Sequence, residues 1–94
     1  MQFRFSRRAQ NDVAEIAEYI ARDNPARALT YVRELRAHCR KLTRFPQAAP
    51  IRPAFGEGVR VSAFGSYLIF YVVNRDLLEI RRVLHGARNP RNDR

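Results

Sequence analysis

The chain has 94 residues, enough for one small domain that buries roughly 60–65% of the surface its unfolded form exposes, and its 46% hydrophobic content argues against intrinsic disorder. Eighteen basic against nine acidic residues give a net charge of +9, a balance that points to an anionic partner, nucleic acid or acidic protein. A single cysteine, Cys39, excludes an internal disulfide and a thiolate metal cluster, and no apolar run approaches the roughly 18 residues of a membrane span.

In chain order, residues 2–5 alternate apolar and polar, with Phe3 and Phe5 against Gln2 and Arg4, which predicts a short first strand. The opening residues carry no apolar stretch of a secretory signal, so the cytoplasm is the expected compartment. Ser6 is placed to cap a helix whose apolar stripe runs Ala9, Val13, Ile16, Ala17 and Ile20. Asp12, Glu15 and Glu18 are expected on its solvated flank. Asn24 and Pro25 mark a second helix start, and Ala28, Val32, Leu35, Cys39 and Leu42 then keep one seam, predicting an antiparallel helical hairpin over about 7–43. Arg33, Arg36, Arg40 and Arg44, three or four apart, form a basic ridge on that second helix.

Pro46, Pro50, Pro53, Gly56 and Gly58 break the pattern over 43–58, a loop long enough to suggest a task of its own. Three strand-like runs follow, Val59–Phe64, Tyr67–Val73 and Leu77–Leu84, with joints short enough to require antiparallel hairpins. They make a meander over about 59–85, ahead of a tail at 86–94. The expected fold is α+β, a single two-layer domain over 1–94 with the order β-α-α-β-β-β and a small, mainly antiparallel sheet. The middle run is apolar on both faces. The hairpin can cover one, and the other needs a loop, the tail or another chain.

Chemistry-bearing motifs are few. There is no phosphate-binding P-loop and no glycine-rich dinucleotide fingerprint, no cofactor is implied, and His38 and His85 lack metal-ligand spacing. Alternation places Leu78, Ile80, Arg82 and Leu84 on one face of the last strand. His85 follows where that strand should stop, with Gly86 permitting a sharp exit. A neutral imidazole among arginines has the makings of a base beside a phosphate site, the chemistry of RNA cleavage.

Read together, several segments resemble the ParE branch of the RelE/ParE toxin superfamily of bacterial type II toxin–antitoxin systems. They are Ala14-Glu15-Ile16-Ala17-Glu18-Tyr19-Ile20, Asn24-Pro25-Ala26-Arg27-Ala28, Leu42-Thr43-Arg44-Phe45-Pro46, Gly58-Val59-Arg60, Gly65-Ser66-Tyr67-Leu68-Ile69-Phe70-Tyr71 and Ile80-Arg81-Arg82-Val83-Leu84-His85-Gly86-Ala87-Arg88. The resemblance covers nearly the whole chain, and the last segment is the most specific. It implies a growth-arresting toxin that acts on DNA gyrase, through the A subunit, without being an enzyme. It also implies neutralisation by a cognate acidic ParD-like antitoxin. Toward the target, the resemblance suggests Arg60, Arg82, His85 and Arg88. Toward the antitoxin, charge and apolar surface suggest Leu68, Phe70 and Val72 on the sheet, and Arg33, Arg36 and Arg40 on the helix. A disordered acidic segment would neutralise the charge and cover the exposed sheet face. Two alternatives stay open. One is a RelE-like, metal-independent messenger-RNA endoribonuclease working through Arg60, Arg82 and His85. The other is a basic domain that binds nucleic acid directly.

Overall fold

A computed structural model describes residues 1–87. Strand β1 (Gln2–Phe5) leads into helices α1 (Arg7–Ala21) and α2 (Pro25–Leu42). A loop with one 3₁₀ turn (Pro53–Phe55) then leads to β2 (Arg60–Phe64), β3 (Tyr67–Asn74) and β4 (Leu77–His85). Both helices start as their sequences require. The Ser6 hydroxyl accepts from the Ala9 N–H at 3.1 Å, and the Asn24 side chain accepts from the Arg27 N–H at 3.0 Å with Pro25 opening the helix. Each cap satisfies one of the N–H groups that a helix start leaves without an internal partner.

The four strands form one sheet in the order β1-β4-β3-β2. The meander strands pair antiparallel, and β1 joins the outer edge of β4 in parallel, with Gln2 opposite Leu77 and Phe5 opposite Ile80. The first strand and the last are therefore neighbours, and the β-α-α-β-β-β two-layer architecture is as expected.

The double apolar face of β3 resolves into two cores. Ile69 and Tyr71 point toward the helices and pack with Ala9, Ile16, Leu35, Cys39, Leu78, Ile80 and Val83. Phe70 points the other way and packs with Val59 and Leu84. That second face is covered by the chain's own loop: the Phe55 ring meets Phe70 edge to face at 5.1 Å, and Phe70 is left 4% exposed. No second protein is needed to shield Phe70. The half-buried Phe55, Val61, Leu68 and Val72 around it keep part of the surface open.

The loop is tied down from both ends. Tyr71, fully buried, donates its hydroxyl to the Pro46 carbonyl at 2.9 Å. The Arg60 guanidinium donates to the Gln47 and Ala49 carbonyls at 3.0 and 2.6 Å. Pro50 and Arg52 run along the outer edge of β2, where the Arg52 N–H donates to the Val59 carbonyl at 2.7 Å. The prolines thus hold an irregular segment whose polar groups are paired with the sheet rather than with a helix or strand ladder.

Candidate functional site

The end of β4 does not follow simple alternation. Phe70 lies opposite Arg82, but Tyr71 lies opposite Ile80, so Arg81 is the extra residue of a β-bulge. The insertion exchanges inside and outside. Leu78, Ile80 and Val83 face the helices, whereas Leu84 belongs to the loop-side core. Arg82 lies opposite Phe70 on that loop side. The expectation of one face shared by Leu78, Ile80, Arg82 and Leu84 is therefore corrected, because a single added residue shifts the period of two.

The same stretch of β4 is an edge that β1 is too short to cover. The β1–α1 junction covers it instead. The Ser6 N–H donates to the Ile80 carbonyl at 2.8 Å, and the Ser6 hydroxyl donates to the Arg81 carbonyl at 3.0 Å. Six residues on, an Asp12 carboxylate oxygen accepts from the Val83 N–H at 2.9 Å. Arg82 grips the same carboxylate with two prongs, Nε at 2.8 Å and Nη2 at 3.1 Å. Asp12 is 7% exposed, so it does not belong to the solvated flank expected for it. It sits three residues after Ala9 and four before Ile16, on the buried stripe itself, and it is tolerated there because both its oxygens accept hydrogen bonds, three in all.

This geometry decides what the sequence-derived candidates can do. Arg82 is committed to Asp12, and Arg60 to the loop carbonyls. His85 is exposed at the end of β4 opposite Tyr67, whose ring it meets edge to face at 5.2 Å, and its Nδ1 accepts from the Ala87 N–H at 3.1 Å. Register puts Arg82 on the loop face and the other two on the helix face. Arg60 and His85 flank β3 four residues apart, which places their Cα atoms about 16 Å apart by strand spacing. The three do not converge on one phosphate-sized site. Arg88 lies outside the described residues.

The antitoxin-facing set is divided as well. Arg33, Arg36 and Arg40 are exposed on α2, where the Arg36 guanidinium lies over the Phe5 ring at 5.3 Å and Arg40 over Phe3 at 5.7 Å. Leu68 and Val72 are half-buried on the opposite side of the sheet, and Phe70 between them is largely covered by Phe55, which leaves it 4% exposed. The Cys39 thiol is fully buried, and burial pushes its pKa up to about 12, which makes it an inert core group. His38 is half-buried against Phe64, with Nε2 3.1 Å from the Ser62 hydroxyl. Desolvation, then the nearby Lys41 charge, lowers its pKa. Among the described residues no group of His, Cys, Asp and Glu side chains is placed to hold a metal ion, and no helix is long and apolar enough to cross a membrane.

Sequence reasoning missed three residues around this site: Asp12, Arg81 and Phe55. For Asp12 the signal was present in its spacing from Ala9 and Ile16. Neither the bulge at Arg81 nor the docking of Phe55 has a local signature.

Comparison with known proteins matches this architecture to one group. Residues 3–90 match the family model of the ParE toxin of the type II toxin–antitoxin system parDE. Over 90 residues the chain is 36% identical to Toxin ParE1 of Caulobacter vibrioides, an alignment that takes in 95% of this chain and 93% of the relative. The fold superposes on a chain of the chromosomal ParDE toxin–antitoxin system from P. aeruginosa with a TM-score of 0.76 at 22% identity, covering 90% of this chain and 95% of that one. The chain with the Asp12–Arg82 clasp and the self-covered sheet is a member of the ParE toxin family of type II toxin–antitoxin systems.

Proposed function

We propose that this ParE-family chain arrests growth by binding DNA gyrase, through its A subunit, and that a cognate acidic ParD-like antitoxin, made in the cytoplasm with it, neutralises it. The observation that carries the choice of target is the state of the two arginines a ribonuclease reading needs. Arg60 and Arg82 are each anchored to the fold through part of the guanidinium, Arg60 by Nη1 on loop carbonyls and Arg82 by Nε and Nη2 on Asp12. Phosphoryl chemistry calls for preorganised cations that converge where negative charge develops, and among the described residues neither Arg60 nor Arg82 converges on His85. A toxin that acts by occupying a protein surface needs no such convergence. The antitoxin half of the reading is supported by charge: a +9 chain with exposed Arg33, Arg36 and Arg40 favours an acidic partner on electrostatic grounds.

The test is a supercoiling and DNA-cleavage assay with purified gyrase. Added chain blocks supercoiling and builds up gyrase-dependent cleaved DNA, and an excess of the antitoxin reverses both. Cleaved messenger RNA in a ribosome extract, with gyrase untouched, transfers the activity to the endoribonuclease alternative. Tight, steeply salt-dependent binding to duplex DNA without gyrase transfers it to direct nucleic-acid binding.

A further inference from the structure

Between the loop and the outer end of β4 lies an open cleft of about 520 Å³ on the sheet face away from the helices. Its floor is apolar, made of Phe55, Val59, Phe70 and Leu84, and its rim is basic, with Arg8 on one side and Arg81 beside the bulge. The bulge creates this rim, because it sets Arg81 and Arg82 at the end of a strand that would otherwise carry a single outward arginine there. Arg82 is neutralised by Asp12. Arg81 shares one carboxylate, Glu79, with Arg4, at 2.5 and 3.0 Å, so two cations face one anion. Among the described residues Arg8 has no ion-pair partner. The rim therefore carries one unpaired positive charge at Arg8 and an only partly compensated one at Arg81, around an apolar hollow with room for one large side chain.

We propose that this cleft is the docking point for an acidic peptide segment of a partner protein that places one aromatic or large aliphatic side chain against Phe55 and Phe70, with carboxylates on either side of it reaching Arg8 and Arg81. The assignment rests on the reading of the chain as a toxin held by an acidic partner, and it locates one anchor of that partner on the loop face, away from the arginine ridge of α2. An apolar anchor held in a pocket with a charged rim is the arrangement that concentrates binding energy at protein interfaces. The floor offers no side-chain hydrogen-bonding group to read a base, which favours a peptide over a nucleic acid.

The test is an amide-shift titration of the nitrogen-15-labelled chain with a blocked peptide of Asp and Glu carrying one central Phe, run beside a twin in which the Phe is Ala. The Phe peptide shifts the amides of Val59, Phe70 and Leu84, and the twin binds about tenfold or more weakly, the loss that corresponds to burying one large apolar side chain. Arg8→Glu combined with Arg81→Glu weakens the Phe peptide about tenfold or more, Ala54→Trp blocks it by filling the cleft, and Arg75→Glu, at the far turn, leaves it within about twofold. The dispersion of the remaining amide signals verifies that each variant is folded. Shifts scattered over all arginine-bearing surfaces, equal binding of the two peptides, or an oligothymidylate of equal charge moving the same amides as strongly would each overturn the proposal, the last in favour of nucleic acid. Gyrase inhibition is read separately. A chain that blocks gyrase and fails this titration refutes the cleft alone, and one that fills the cleft yet touches neither gyrase nor an antitoxin refutes the toxin reading alone.

Discussion

Asp12→Ala is the substitution from which the fold has most to lose at a single polar side chain. Asp12 accepts three hydrogen bonds, one from the Val83 backbone and two from Arg82. Removing one partner of a buried ion pair costs about 3–5 kcal/mol, but the Arg82 side chain keeps 19% of its surface in water, so about 2 kcal/mol of that remains after solvent compensates. The Val83 N–H, in a residue 2% exposed, is left without its acceptor, which adds about 1–3 kcal/mol. Alanine returns about 0.5 kcal/mol in helix propensity. The net loss is about 3 kcal/mol, set against a total stability of roughly 5–14 kcal/mol for a chain of this size, and the melting temperature falls by about 12–24 °C. Urea unfolding followed by circular dichroism measures it. Adding Arg82→Met to Asp12→Ala removes the half-buried cation that faced Asp12 and recovers about 1 kcal/mol, so the double mutant is more stable than the single. A loss below about 1 kcal/mol for Asp12→Ala, with an unchanged denaturant slope, would refute the reasoning.

Two further outcomes follow from the titrating groups. The His38 pKa is lowered in the folded state, so below the ordinary value of 6.5 the unfolded chain binds the extra proton first. The His38 contribution is complete above about pH 6.5 and is lost as pH falls from there through the folded value. Denaturant midpoints at pH 7.5 and 5.5 should therefore differ less in His38→Gln than in the parent chain, and an identical difference in both chains removes His38 from the acid response. Cys39, with its thiol at about 12 and its side chain sealed in the core, should resist a thiol-specific label at pH 8 in the native protein and react fully in denaturant. Rapid labelling under native conditions would mean that the hairpin opens locally.

Much of the fold was legible because it rests on local rules. Ser6 and Asn24-Pro25 are capping signals that act within one helical turn, and the spacing of Ala28, Leu35 and Cys39 marks a face that is buried in the structure. The turns at Gly65 and at Arg75, both at positive φ, fall where the strand runs were separated. The site was less legible because its placement depends on long-range events. The bulge at Arg81 changes no residue type, yet it reverses which side chains share a face. Arg60 and Arg82 have the composition of a phosphate site, and only the folded chain reveals that Arg60 is anchored on Pro-rich loop carbonyls and Arg82 on a carboxylate of α1. The doubly apolar run of β3 correctly signalled a need for cover. It could not say that Phe55, fifteen residues earlier, meets most of that need from within the same chain.

The parallel pairing of β1 with β4 carries a temporal consequence. During synthesis β1 can meet α2 early, through Phe3 and Phe5, but its hydrogen-bonding partners at residues 76–80, and the Val83 partner of Asp12, are made much later. The sheet closes only after β4 has been made, with synthesis running at roughly 5–20 residues per second. The edge that β1 and the Ser6–Asp12 segment seal is thus the latest part of the sheet for which both partners exist as the chain grows.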